Sequence, residues 1–236
     1  DVFNRIETIG PNVRVIHIKA GPPDAHVGDL YAHLPEFLEQ VNAFREEEGL
    51  KYDVVHSHYW LSSWIGRELS KVMGVPHLVT FHTLALLKMQ SRAGEVEQTE
   101  RPVIEAEVIA TADRIIAFSP HERDAMVRLY GADAAKISLV PCGVDLSVFR
   151  PLDRKTARDR LGLNGDKILL YVGRVEPLKG LELLVETAAQ MDSEDGVRVM
   201  VVGADVNGDG LQDLIGFGSA GVSIALGQAP ASGQAV

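Results

Sequence analysis

Apolar runs of strand length alternate with amphipathic helical patterns along most of this 236-residue chain. The predicted strands lie at residues 13–18, 52–58, 77–82, 114–118 and 137–140, and the predicted helices at 30–44, 61–73, 102–112 and 120–130. This alternation is typical of βαβ units, in which a helix connects two parallel strands of one sheet. The sequence therefore predicts an α/β fold built on a parallel sheet.

Composition excludes several classes of protein. A net charge of −10 argues against a nucleic-acid partner, because a broad phosphate footprint needs many cations on one face. The single Cys142 excludes a disulfide framework and a cysteine-rich zinc site. His56 and His58 are expected on opposite faces of a strand, so we expect no shared metal there. The sequence contains no apolar run of transmembrane length and no visible signal peptide, and we expect a cytoplasmic protein without a transmembrane segment.

The alternation of strands and helices is interrupted at residues 148–153, which include Pro151, and then restarts. We predict a strand at 167–172, a helix at 178–191 and a strand at 197–202 after this break. The chain is therefore interpreted as three parts, residues 1–150, 151–203 and 204–236. The middle part has too few strands for a complete nucleotide-binding domain of the doubly wound type.

A strand-to-helix turn in the middle part carries two cations five residues apart. Gly173 and Arg174 follow the predicted strand, and Lys179 begins the predicted helix. Arginine can hold phosphate in a bidentate manner, lysine adds a mobile point charge, and glycine lets phosphate approach backbone N–H groups. The turn is thus a candidate diphosphate clamp, and the alternative is an ordinary turn with solvated charges.

The C-terminal part contains a spacing of oxygen side chains that is typical of calcium loops. The candidate ligands are the side chains of Asp205, Asn207, Asp209 and Asp213 and the carbonyl of Leu211. Position twelve of this loop is a glycine rather than the bidentate glutamate of an EF-hand. A calcium ion could therefore be held here, and an Asx-rich surface turn is the alternative. Residues 215–218 and 222–226 predict a β-hairpin.

Four further stretches, together with the clamp, point to a known family. They are 53–62 (Asp-Val-Val-His-Ser-His-Tyr-Trp-Leu-Ser), 80–85 (Thr-Phe-His-Thr-Leu-Ala), 119–123 (Ser-Pro-His-Glu-Arg) and 140–145 (Val-Pro-Cys-Gly-Val-Asp). With them, residues 12–202 resemble the family-4 retaining glycosyltransferases of GT-B fold, in the branch that contains D-inositol 3-phosphate glycosyltransferases and sucrose-phosphate synthases. Residues 202–227 are instead similar to a single FG-GAP/VCBS repeat.

The resemblance implies a GT-B-like pair of Rossmann-type domains and a role for each matching residue. Arg174 and Lys179 would neutralise the diphosphate of a UDP-linked nucleotide sugar, so that sugar transfer needs no metal. His82 would lie near the donor sugar as the catalytic residue. The acceptor, a small sugar or phosphorylated molecule, would meet Thr83 and, by a looser match, Tyr59 and Arg101. A solvated helix start is the alternative for Arg101.

Two departures from the family pattern lead us to expect weak or no sugar transfer by this chain. Family members begin with a strand and a glycine-rich loop that closes over the donor phosphates, and no such loop precedes Asp1. They also carry a glutamate-rich segment after the clamp, where this sequence has the calcium-type loop. The alternatives are a calcium-binding interaction module fused to a vestigial α/β domain, and a chimera without a selected function.

Overall fold

The chain folds into two compact units, Asp1–Gly143 and Val144–Val236, each with its own four-stranded β-sheet. The computed structural model describes residues 5–91, 96–163, 165, 167–175, 177–191, 197–204, 213–218 and 221–225. Strands and helices alternate through most of this part of the chain, and both four-stranded sheets contain parallel pairs. The predicted α/β fold class is therefore confirmed.

Four parallel strands form the main sheet of the first unit, in the order in which they occur along the chain. They are Val55–His58 (β3), His77–Thr80 (β4), Arg114–Ala117 (β5) and Ile137–Leu139 (β6). The connecting helices are Tyr59–Met73 (α2), Ala85–Ser91 (α3), Glu100–Thr111 (α4) and Pro120–Tyr130 (α5). Because all four strands run in one direction, their carboxyl ends meet at one edge of the sheet.

An antiparallel hairpin and a helix precede this sheet. The hairpin consists of Ile6–Gly10 (β1) and Val13–Ile16 (β2), with a turn in which Asn12 has a φ of 61°. Asparagine tolerates this left-handed conformation better than most residues. A 3₁₀ segment, Val27–His33, then leads into the helix Leu34–Glu47 (α1).

The core of the first unit lies around the two central strands of the main sheet. Val79 of β4 and Ile115 of β5 are completely buried, and Val108 of α4 is buried with them. The same cluster contains Trp60, Phe81, Leu84, Ile104, Ile109, Ala112, Ala117, Met126 and Ala132. Burying apolar area of this kind contributes about 25 cal/mol per Å². This packing fixes the positions of the carboxyl ends of β3 and β4, where the candidate site described below is located.

The second unit is built on a mixed sheet. Lys167–Val172 (β7) and Val197–Ala204 (β8) pair in parallel, and Asp213–Gly218 (β9) and Gly221–Ala225 (β10) continue the sheet as antiparallel strands. Its helices are Arg154–Arg160 (α6) and Leu181–Ala189 (α7). The predicted hairpin is confirmed by the pairing of β9 with β10.

The longest helix in the described residues is α2, with 15 residues. A helix needs about 20 apolar residues to cross the hydrocarbon core of a bilayer. Within the residues that the structure describes, no helix has the length and apolar character for such a span.

Candidate active site

Two sharp turns lie beside each other at the carboxyl edge of the main sheet. His58 ends β3 and pairs with Thr80, which ends β4. Tyr59, the next residue after β3, has a φ of 73°, and His82, two residues after β4, has a φ of 64°. Such left-handed conformations are unfavourable for bulky side chains and are concentrated at functional sites. The strain therefore identifies this edge as a candidate site.

Three histidines form a cluster at this edge. Nδ1 of His58 lies 2.9 Å from Nε2 of His82, and the rings of His56 and His58 are 4.3 Å apart. The expectation that His56 and His58 point to opposite faces is therefore wrong, since side chains two residues apart on a strand share a face. Among the described residues, however, no group of three histidine, cysteine or carboxylate side chains could hold a metal ion.

His58 orients the candidate catalytic residue His82. In the hydrogen bond between them one ring must donate and the other accept, so their tautomers are complementary. Burial and the neighbouring charges of His56 and His82 lower the pKa of His58, which favours the neutral ring. The ring of Phe118 lies 5.2 Å from that of His82. The His82 imidazole is thus held by a hydrogen bond and by ring packing.

Arg101 brings the three predicted acceptor-side residues together. Its side chain is only 2% exposed, so the alternative of a solvated helix start is wrong. Nη2 donates to the carbonyl and the hydroxyl of Thr83 at 3.1 and 2.9 Å. Nη1 donates to Glu97 at 2.7 Å and makes a longer contact of 3.5 Å with the hydroxyl of Tyr59. Nε donates to Glu105 at 2.8 Å. All five guanidinium N–H groups are therefore engaged.

The buried carboxylate of Glu105 holds Arg101 in place on the side of the guanidinium that faces the core. The side chain of Glu105 is 0% exposed and accepts hydrogen bonds from Arg101, from the backbone N–H of Ala85 at 2.9 Å and from the hydroxyl of Tyr130. Burial raises the pKa of Glu105, and these hydrogen bonds oppose the increase. The hydroxyl of Tyr130 also accepts from the N–H of Leu86 at 3.0 Å. The network links α3, α4 and α5 at the turn that carries Thr83.

Sequence reasoning did not assign Glu105 or Tyr130 to the site. One signal for Glu105 was available, since side chains four residues apart on a helix are neighbours, and an arginine and a glutamate at this spacing can form an ion pair. No local pattern indicated Tyr130, whose contact with Glu105 spans 25 residues and depends on how the helices pack.

A cavity of about 250 Å³ opens beside Arg101. Its polar lining consists of Tyr59, Lys88, Glu97, Gln98 and Arg101, and Val27, Trp60, Leu61 and Val96 complete it. A cavity of this kind, with a few converging polar groups, is the usual form of a small-molecule site.

The candidate diphosphate clamp lies at the carboxyl end of β7 in the second unit. The N–H of Gly173 donates to Val202 of β8 at 3.0 Å, and Gly203 follows with a φ of 116°. A Cβ at Gly203 would lie only 2.2 Å from the carbonyl oxygen of Gly173, so the close approach requires glycine. Arg174 and Lys179 are exposed on either side of the turn that leads to α7.

The predicted calcium ligands fall almost entirely outside the described residues. This applies to Asp205, Asn207, Asp209 and Leu211, and Asp213 is described only as the first residue of the β9 backbone. The calcium site therefore stays a prediction.

Comparisons with known proteins agree with the resemblance to family 4. The D-inositol 3-phosphate glycosyltransferase of Acidothermus cellulolyticus is 42% identical over 214 residues, which are 84% of this chain and 47% of that protein. The enzyme of the same name from Frankia alni is 41% identical over 216 residues, or 86% of this chain and 52% of that protein. The chain thus spans about half the length of these relatives.

Among solved structures, sucrose-phosphate synthase from Thermosynechococcus elongatus is similar to this chain with a TM-score of 0.73 and 32% identity. The match covers 87% of this chain and 50% of that one. A family model described as Glycosyltransferase Family 4 matches residues 3–148, which is more than half of the chain. The chain therefore belongs to glycosyltransferase family 4.

Proposed function

We propose that the reaction of this chain is the transfer of a sugar, with retention, from a UDP-linked donor to a small phosphorylated acceptor of the inositol phosphate class, and we expect the chain on its own to perform it weakly or not at all. The observation that carries the proposal is the meeting of His82, Thr83, Tyr59 and Arg101 at one sheet edge, in a chain about 40% identical to D-inositol 3-phosphate glycosyltransferases. No comparison supports the alternative of a calcium-binding interaction module.

On the donor side, the clamp would stabilise the leaving diphosphate. Arg174 and Lys179 are exposed near the turn that follows β7, and because the N–H of Gly173 is already bonded to Val202, these two side chains would make the phosphate contacts. Two cations aimed at a developing diphosphate charge provide electrostatic stabilisation of the kind that a metal ion supplies in other enzymes. We therefore propose that transfer by this chain proceeds without a metal.

At the main sheet edge, His82 would contact the donor sugar while the neighbouring hydroxyl groups contact the acceptor. The His58 hydrogen bond sets the direction of the His82 ring. Arg101 fixes the Thr83 hydroxyl and lies with its guanidinium carbon 5.1 Å from the centre of the Tyr59 ring. Holding reacting groups in position in this way lowers the entropic part of an activation barrier.

The clamp assignment predicts that UDP binding depends on Arg174. Charge-assisted hydrogen bonds contribute about 1.5–3 kcal/mol, so Arg174→Ala is expected to weaken UDP binding about tenfold or more. Lys179→Ala should have an effect in the same direction. Isothermal titration with UDP measures both, and Arg154→Ala, which removes an exposed arginine of α6, is the control that should bind as the parent does. Equal affinity for parent and Arg174→Ala would refute the assignment.

A further inference from the structure

A second cavity, of about 220 Å³, lies in the first unit beside α1 and α2. Its walls come from the chain after β2, from the 3₁₀ segment Val27–His33 and from the first two turns of both helices. Six of the eight residues that line it are apolar, namely Ala20, Leu30, Leu34, Phe37, Leu61 and Ile65. The cavity therefore presents mostly hydrocarbon to a molecule that enters it.

This cavity differs in charge from the one beside Arg101. Charged side chains of lysine, glutamate and arginine line the cavity beside Arg101, whereas no lysine, arginine, aspartate or glutamate lines the second one. Burying a charge without a partner costs far more than burying a neutral group. The second cavity is therefore suited to a neutral molecule and not to an anion such as a sugar phosphate.

The wall at His33 is formed without a ligand. Gly21 has a φ of 68°, and its N–H donates to Glu36 of α1 at 3.0 Å. A Cβ at Gly21 would lie 2.6 Å from Cγ of His33, so the close packing of the imidazole against this turn requires glycine. Leu34 and Ile65 are buried in the opposite direction, towards the core. A ligand therefore does not have to order the walls of the cavity when it binds.

Two polar side chains of the cavity are available to a ligand. They are the His33 imidazole and the Ser62 hydroxyl, which complete the lining. Neither forms a hydrogen bond with the part of the chain that the structure describes. A hydroxyl can donate or accept, and a neutral imidazole has one donor and one acceptor nitrogen. A ligand with a single hydroxyl or N–H group can therefore pair with one of them while its other atoms contact the apolar walls.

We infer that this cavity is a binding site for a neutral aromatic molecule with two fused rings and one hydrogen-bonding group, the class that includes indole and naphthol. A cavity of about 150 Å³ lined by leucine, isoleucine and phenylalanine takes up benzene, so one of about 220 Å³ has room for a second ring. The site goes beyond the proposed function, which assigns no ligand to it. Leu61 lines both cavities, so a molecule bound here contacts one wall of the candidate acceptor cavity.

Calorimetric titration of the chain with indole tests the site. Indole is expected to bind with a Kd of about 1 mM or lower, because most of its surface would contact apolar walls. Ala20→Phe and Ser62→Leu fill the cavity from two different walls, and each should weaken indole binding about tenfold or more, the factor that corresponds to burying one large apolar group. Ala32→Phe is the matched control, since Ala32 is exposed on the 3₁₀ segment and lines neither cavity, and it should bind indole as the parent does.

Amide NMR shifts locate the bound indole, and the largest changes are expected at Leu34, Leu61 and Ser62. The inference is overturned if the parent binds no indole up to about 10 mM, well above the expected Kd. It is overturned as well if neither Ala20→Phe nor Ser62→Leu lowers the affinity, or if the largest shifts fall in the second unit. Indole carries neither sugar nor phosphate, so the result does not depend on whether UDP binds at Arg174.

Discussion

Replacing Glu105 with alanine is expected to lower the free energy of unfolding of the first unit by about 3–5 kcal/mol, the usual loss when one partner of a buried ion pair is removed. Arg101, 2% exposed, would keep its charge and lose its most deeply buried partner. The Tyr130 hydroxyl and the Ala85 N–H would lose their acceptor as well. A loss of this size is a large part of the stability of an ordinary domain.

Urea unfolding followed by tryptophan fluorescence measures this loss. Both tryptophans, Trp60 and Trp64, belong to the first unit, so the signal reports on that unit. Glu107→Ala is the matched control on the same helix, since the side chain of Glu107 is 54% exposed and its ion pair should contribute about 1 kcal/mol or less. If the two variants unfold at the same urea concentration, the buried network does not stabilise the unit.

Local signals in the sequence were sufficient where a helix has clear ends. The helix α5 was predicted at 120–130 and is found at Pro120–Tyr130. Ser119 accepts a hydrogen bond from the N–H of Glu122 at its start, and Gly131 ends it with a φ of 67°. Both are standard capping arrangements that can be read from the residues alone.

Elements without such signals were missed. The strand β1 and the seven-residue helix α3 were not predicted. The strand β1 depends on its pairing with β2. The helix α3 depends on hydrogen bonds from the backbone of its first turn to Glu105 and Tyr130. Family resemblance gave the identities of His82 and Arg101. It could not give the burial of Arg101 or the contact between His58 and His82, which arise only when β3, β4 and α4 pack together.

Acid is expected to destabilise the first unit through His77, the first residue of β4, at the amino end of the strand whose carboxyl end lies at the candidate site. His77 is 3% exposed, its Nε2 is hydrogen-bonded to Ser57 at 2.7 Å, and its Nδ1 has no hydrogen-bond partner among the residues that the structure describes. Burial above all, with the charges of His56 and Arg67, lowers the pKa of His77 from 6.5 to about 4, although Asp113 opposes the shift. Gly66 of α2 permits this packing, since a Cβ there would lie 2.6 Å from Nε2 of His77.

The sign of the effect follows from which state binds the proton. Between pH 6.5 and about 4 the unfolded chain holds a proton on His77 that the folded chain does not, so this contribution to stability is complete above pH 6.5 and is lost as the pH falls towards 4. A shift of this size corresponds to about 3 kcal/mol. Urea unfolding at pH 7 and at pH 4 should therefore show a smaller loss of stability for His77→Gln than for the parent. His121→Gln, which changes an exposed histidine of α5, should keep the parent's pH dependence. An equal loss in parent and His77→Gln would assign the acid sensitivity to other groups.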